Sequence, residues 1–170
     1  RASAEQIAAV VRDIDQHRSA AGSPAAAPES PNELAQRISA VADFARAALA
    51  TDPAYGPWSA RLLLLKPSLQ MIGHIRFHTR PVEDSVEFGY SVFTRWRCQG
   101  YATEAAGALM RWAAEQHGVK RFVASVRPDN LPSQRVVAKL GFHRVGEQFD
   151  DELRARGHAI LLVEQNLQLA

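Results

Sequence analysis

Residues 86–126 contain two strand-length apolar segments separated by one segment of helix length. VEFGYSVF (86–93) and KRFVASV (120–126) flank ATEAAGALMRWAAEQHG (102–118), whose apolar residues fall on one face and which ends at Gly118. A strand-helix-strand connection of this length makes its two strands parallel neighbours with a right-handed crossover. The segment therefore predicts one parallel strand pair.

The rest of the chain favours antiparallel pairing. WSARLLLL (58–65) and QMIGHIRF (70–77) read as a hairpin, and FHRVGEQF (142–149) and HAILLVEQ (158–165) as a closing hairpin. Capping signals and apolar spacing predict helices over 4–17 and 31–50, and Gly141 ends a short helix that begins near residue 131. The expected class is α+β, with a mixed, mostly antiparallel sheet flanked by helices, in one domain over residues 1–170.

Charge and cysteine content argue against several functions. The 20 basic residues are offset by 18 acidic ones and form no basic run, so a nucleic-acid partner is not expected. No apolar stretch is long enough to cross a bilayer, and the first residues lack a signal-peptide pattern. Cys98, the only cysteine, cannot form an internal disulfide, which favours a reducing, cytoplasmic location.

The turn RWRCQGYATEA (95–105) joins the first parallel strand to the crossover helix. Backbone N–H groups of the first helical turn have no partner within the helix and attract anions such as phosphate. Gly100 and Ala102 are small enough for close backbone approach, and Arg95 and Arg97 add positive charge. The alternative is a helix start that binds nothing. A Walker loop and a dinucleotide fingerprint are both excluded, because the required Lys-Ser/Thr and three-glycine patterns are absent.

Two motifs carry a resemblance to a known family. The segment from Arg97 to Ala102 matches the Gln/Arg-x-x-Gly-x-Gly/Ala pattern of the GNAT superfamily of acyl-CoA N-acyltransferases. A downstream segment resembles the family's second motif through five residues, namely Asn130, Ser133, Lys139, Gly141 and Phe142. The similarity covers about residues 58–165 and is greatest to the branch of ribosomal-protein N-terminal acetyltransferases.

The resemblance implies a GNAT-like fold and direct transfer of an acetyl group from acetyl-CoA to a primary amine. The amine acceptor would be a peptide N-terminus or a small molecule. Backbone groups of Val92, Phe93 and Thr94 would hold the pantetheine arm and polarise the thioester carbonyl. Asn130 and Ser133 would lie near the thioester sulfur, where Asn130 could hydrogen-bond the cofactor and Ser133 would act as a catalytic residue by donating to the sulfur. The pyrophosphate would be bound by the loop residues Arg97, Cys98, Gln99, Gly100, Tyr101, Ala102 and Thr103.

The chain departs from the family pattern in three places. Cys98 stands where many members have a further glycine, and residues 132–140 contain no tyrosine to protonate the leaving thiolate. The family's first strand either precedes residue 1 or is missing. These departures keep a second interpretation open, in which the domain binds CoA as a non-catalytic sensor or assembly module. A homodimer is also an open expectation.

Glu87 is the candidate general base. Alternation along its strand places it on one face with Gly89, Ser91 and Phe93, where it could accept the amine proton through a water molecule. The alternative is a solvated strand glutamate, with Glu83 and Asp84 as weaker substitutes. Local capping is the alternative role for Asn130 and Ser133. His74 and His78 share a face but lack a third ligand, so no metal site is expected.

Overall fold

A computed structural model describes residues 31–66, 68–148 and 160–166. Its helices are α1 (Pro31–Thr51), α2 (Tyr101–His117) and α3 (Leu131–Lys139), with short 3-10 turns at Pro53–Trp58 and Thr94–Trp96. Its strands are β1 (Arg61–Leu64), β2 (Met71–Phe77), β3 (Ser85–Val92), β4 (Arg121–Val126), β5 (His143–Gln148) and β6 (Ile160–Asn166). The helix predicted over 4–17 lies outside the described residues.

The described strands form one sheet in the order β1-β2-β3-β4-β6-β5. Among them, β3 and β4 pair in parallel, while the remaining neighbours are antiparallel. This arrangement confirms the α+β class and the predicted crossover. The closing hairpin is confirmed as well, although β6 rather than β5 lies against β4.

Helix α2 packs on one face of the sheet. Its small and apolar residues, including Ala106 and Leu109, are fully buried against large side chains such as Phe88 and Phe122. Gly118 ends the helix with φ 67°, the left-handed conformation that glycine adopts without a steric cost. The crossover helix and its end are therefore as predicted.

The first strand starts later than expected. Trp58 belongs to a 3-10 turn, and β1 begins at Arg61. Asp52 caps this turn by accepting a hydrogen bond from the Ala54 N–H at 3.1 Å, and Pro53 and Pro57 favour the turn over a strand. Trp58 still packs in the core, where its ring contacts those of Phe77 and Trp112 in edge-to-face geometry.

The parallel strands separate after three residue pairs. Their pairing runs from Ser85↔Arg121 to Glu87↔Val123, after which β3 continues along β2 to Val92 and β4 continues along β6 to Val126. A gap thus opens between the C-terminal halves of β3 and β4, and α2 and α3 begin beside it. No helix among the described residues is long and apolar enough to span a bilayer.

Candidate functional site

A cleft of about 430 Å³ lies at the gap between β3 and β4. It is bounded by the end of β3, the turn into α2, and the first turns of α3. Nine of the predicted site residues line it, namely Val92, Arg97, Cys98, Gly100, Tyr101, Ala102, Thr103, Asn130 and Ser133. Residues of two motifs that are far apart in the sequence therefore line one cavity in the fold.

The turn into α2 has an unusual backbone. Gly100 precedes the helix with φ 90°, and Cys98 has φ 61°, which is uncommon for a residue with a side chain. The Arg97 Nε donates a hydrogen bond of 2.9 Å to the Val92 carbonyl, which ties the loop to the end of β3. The first residues of α2, from Tyr101 to Thr103, line the cleft, and a helix start carries N–H groups without intrahelical partners.

The cleft lining is cationic. Arg97 contributes from the loop, and Arg135 and Lys139 contribute from α3, whereas no carboxylate is present among the described residues that line the cleft. Arg135 and Lys139 were not among the predicted site residues. Their spacing of four on a short helix, which puts them on one face, was the signal that could have identified them.

At the end of β3, successive backbone N–H groups point to different sides of the strand. The Phe93 N–H donates to the Ile72 carbonyl of β2 at 2.9 Å. Because successive N–H groups of a strand point to opposite sides, the Val92 N–H points away from β2 and toward the gap. Phe93 and Thr94 do not line the cleft, and neither does Gln99, whose amide donates to the Arg95 carbonyl at 3.2 Å.

Asn130 has a capping role in addition to its place in the cleft. Its Oδ1 accepts a hydrogen bond from the Ser133 N–H at 3.2 Å, which satisfies one unpaired donor of α3. The side-chain amide of Asn130 and the half-buried Ser133 still line the cleft. Local capping and ligand contact are therefore compatible at this position.

Tyr90 is the most informative residue that sequence reasoning missed. It lies on β3, lines the cleft, and has a buried hydroxyl without a hydrogen-bond partner among the described residues. Burial raises the pKa of Tyr90, and the nearby Ser133 opposes this shift without meeting the geometry of a hydrogen bond. A protonated phenol is therefore directed at the cleft with its hydrogen-bonding capacity unused.

Glu87 does not line the cleft. It is the last β3 residue paired with β4, and alternation places it on the sheet face opposite Tyr90. Its Oε1 accepts a hydrogen bond of 2.5 Å from the Ser125 Oγ of β4 and lies 3.5 Å from the His78 Nδ1. The contact with His78 is the main cause of a lowered pKa for Glu87; burial opposes it and Ser125 reinforces it.

The His78 ring lies directly over Gly89. A Cβ atom at Gly89 would come within 2.8 Å of the His78 Nε2, so the absence of a side chain there allows the ring to rest against β3. The Glu87 carboxylate, the His78 imidazole and the Ser125 hydroxyl thus form one polar group at the point where β3 and β4 separate. No cluster of three or more metal-ligating side chains occurs in the described part of the chain.

The family model described as "Acetyltransferase (GNAT) domain" matches residues 1–143. The chain belongs to the GNAT acetyltransferase family. Among curated relatives, it is 33% identical over 84 residues to the "uncharacterized N-acetyltransferase YnaD" of Bacillus subtilis, which is 49% of each protein. It is 60% identical over 53 residues to the "uncharacterized protein Rv0502" of Mycobacterium tuberculosis, covering 31% of this chain and 15% of that protein. The chain thus spans half or less of these relatives' lengths.

Solved GNAT structures share the fold. A GNAT-family acetyltransferase from Bacillus anthracis superimposes with a TM-score of 0.56 at 26% identity, covering 63% of this chain and 65% of that one. RimL, a ribosomal L7/L12 α-N-protein acetyltransferase, gives a TM-score of 0.60 at 19% identity with 82% and 88% coverage. The ribosomal-protein-S5-alanine acetyltransferase of Vibrio fischeri gives 0.57 at 21% identity with 81% and 72% coverage. These neighbours confirm the GNAT fold of the described residues.

Proposed function

We propose that this GNAT domain transfers an acetyl group from acetyl-CoA to a primary amine. The observation that carries the proposal is the cleft between β3 and β4, where both family motifs line one cavity with three cationic side chains. Acetyl-CoA combines a phosphorylated end with a thin thioester-bearing arm, and the cleft offers a cationic rim next to a narrow gap in the sheet.

The phosphorylated end would bind at the start of α2. The N–H groups after Gly100 and the side chains of Arg97, Arg135 and Lys139 are suited to the pyrophosphate, because both dipole and charge favour an anion there. The pantetheine arm would extend along β3, where the Val92 N–H faces the gap. Tyr90 and Ser133 would then lie next to the thioester.

Transfer requires one bond to form and one to break. The amine nitrogen attacks the carbonyl carbon of the thioester, the C–N bond forms, and the C–S bond breaks. The amine proton passes to the Glu87 carboxylate, which His78 contacts on the acceptor side. The departing thiolate takes a proton from the Tyr90 hydroxyl, which Ser133 helps to position, and the Tyr90 phenolate is reprotonated from solvent. The tyrosine missing from α3 is in this scheme replaced by one from the strand.

Two measurements test the proposal. Calorimetry with acetyl-CoA should detect binding, and thiol release across a panel of primary amines should exceed the rate without amine. Absence of binding at millimolar acetyl-CoA would contradict any CoA-dependent role. Binding without amine-dependent thiol release would instead support the non-catalytic CoA sensor.

Matched variants locate the binding site. Arg135→Ala and Lys139→Ala should each weaken acetyl-CoA binding by about three- to tenfold, roughly 0.6–1.4 kcal/mol, because each removes a charge that faces the pyrophosphate. Arg111→Ala removes an exposed arginine of α2 outside the cleft and should leave the affinity unchanged. Equal effects of all three substitutions would indicate general electrostatics rather than a site at this cleft.

A further inference from the structure

A second cavity, of about 320 Å³, lies between α1 and the sheet face that carries Glu87. Most of its wall is apolar or aromatic, and its titratable side chains are two arginines and one histidine. No carboxylate is found among the described residues that line it. The lining consists of Arg37, Ala40, Val41, Phe44, Ala60, His74, Arg76 and Phe93.

Arg76 is a half-buried cation that meets no carboxylate in the described part of the chain. Its guanidinium lies 3.4 Å above the Phe44 ring centre and forms no hydrogen bond or ion pair with the described residues. Burial lowers the pKa of Arg76, because removing the charge from water has a cost that only the phenolate of Tyr55 would offset. Charged side chains that are withdrawn from water are normally paired. Among the described residues, no anion meets the Arg76 guanidinium.

His74 is a second polar group of this cavity without a partner. Its Nδ1 is buried and makes no hydrogen bond within the described part of the chain. Burial is the main cause of a lowered pKa for His74, and the positive charges of Arg76 and Arg37 lower it further. Both guanidiniums are thus close enough to act on one imidazole, and a neutral His74 retains an N–H for an incoming acceptor atom.

The polar group at Glu87 lies on the same face of the sheet as the cavity residues of β2. His74 and Arg76 lie on one face of β2 opposite Ser91 and Gly89. His78 follows the end of β2 and donates its backbone N–H to the Glu87 carbonyl at 2.9 Å. Each step of two residues along a strand spans about 6.6–6.8 Å. One small molecule with two functional groups is therefore long enough to reach from the neighbourhood of His78 to that of Arg76.

We propose that this cavity binds the carboxylate of the acceptor, so that the acceptor is an amine of the amino-acid class with an apolar side chain. The inference rests on the proposed acetyl transfer. Arg76 and His74 bind the carboxylate, the apolar wall with Phe44 and Phe93 takes the side chain, and the amine is directed toward Glu87 and His78. The two functional groups of the acceptor thereby meet the two polar regions of this face.

Matched acceptors test this assignment. L-Phenylalanine and L-phenylalaninamide differ in the carboxylate, and kcat/KM for thiol release should be at least about tenfold higher for the acid, because only the acid pairs with Arg76. In Arg76→Met, which keeps an unbranched apolar stem on Phe44, the preference should fall to near one. Arg80→Met removes a nearby arginine that pairs with Asp52 outside the cavity and should keep the preference. Equal rates for acid and amide in the wild-type protein, or a preference that survives Arg76→Met, would overturn the assignment.

A binding measurement separates this assignment from acetyl transfer itself. N-Acetyl-L-phenylalanine cannot be acetylated, and its carboxylate should raise the pKa of His74 by offsetting the two arginines, as followed by NMR of the imidazole. N-Acetyl-L-phenylalaninamide should not. A His74 response to the acid alone, without turnover of any amine, would retain the anion site and reject the transfer. Turnover of amines without a His74 response to the acid would retain the transfer and reject the anion site.

Discussion

The Ser125 hydroxyl donates a hydrogen bond of 2.5 Å to the Glu87 carboxylate across the line where β3 and β4 part. Glu87 is the last residue of β3 that pairs with β4, and Ser125 lies two positions beyond its partner Val123. The bond therefore bridges the opening of the gap on the face opposite the cleft. It fixes the carboxylate where an amine would have to pass to reach a thioester held between the strands.

Glu87→Gln should lower turnover by about a hundredfold while acetyl-CoA affinity changes little, because the amide cannot accept a proton and Glu87 does not line the cleft. The measurement is thiol-release kinetics together with calorimetry. Glu115→Gln, an exposed change on α2, is the control. An unchanged rate near neutral pH would reject Glu87 as proton acceptor.

The lowered pKa of Glu87 also predicts a pH dependence of stability. The folded state favours the carboxylate, so the contribution is present above the ordinary pKa of 4.5 and is lost as the pH falls through the lower folded value. The groups that face it are His78, which follows β2, and Ser125 from β4. Thermal unfolding should show Glu87→Gln less stable than wild type at pH 7, with the difference shrinking as the pH falls below about 4.5 and vanishing below the lowered folded pKa of Glu87. A difference that persists at low pH would point to packing rather than charge.

Gly89→Ala should reduce turnover without unfolding the protein. The new Cβ would displace the His78 ring from β3 and from Glu87, and the ring is exposed enough to move at little cost. Unfolding free energy should change by less than about 1 kcal/mol. Gly146→Ala is the matched control, since its Cβ would meet nothing within 4 Å. Full activity in Gly89→Ala would show that the position of His78 does not matter to the reaction.

Tyr90→Phe should separate a chemical role from a structural one. The Tyr90 hydroxyl has no partner, so its removal should leave stability unchanged, whereas turnover should fall at least about tenfold if it protonates the thiolate. Tyr55→Phe provides the contrast, because the Tyr55 hydroxyl donates to the Phe77 carbonyl and its loss should cost about 1 kcal/mol. Wild-type turnover in Tyr90→Phe would assign the proton donor elsewhere.

Cys98→Gly should stabilise the protein or leave it unchanged. Cys98 has φ 61°, which costs a residue with a side chain about 1–2 kcal/mol and costs glycine nothing of this kind. Cys98→Val should destabilise it by more than 1 kcal/mol, since a branched side chain fits this conformation poorly. Denaturant unfolding of the three proteins gives the order. If Cys98→Val is as stable as the wild type, the loop adopts another backbone conformation.

Local sequence patterns were sufficient to predict most of the helices and strands. The spacing of apolar residues predicted α1, α2 and their neighbouring strands, and Gly100 with its flanking arginines predicted an anion site at a helix start. The predicted start of the first strand at Trp58 was wrong, because the Asp52 cap and two prolines favour a 3-10 turn over a strand there. Tyr90 and Arg135 were missed because neither belongs to a motif. Tyr90 of β3 and Arg135 of α3 become candidate site residues only because the fold places both elements beside the same cleft.

The sequence by itself determined the crossover and the α+β class, since both depend on interactions between residues close in the chain; the anion site at the start of α2 stays a prediction. Only the tertiary structure decided that β3 and β4 separate after Glu87, that Tyr90 lines the resulting cleft, and that His74 Nδ1 and Arg76 on the opposite face have no hydrogen-bonding or ionic partner among the described residues. These features depend on where distant strands part and which side chains then lack partners. Pairing and burial between remote segments decide that, and no local pattern encodes it.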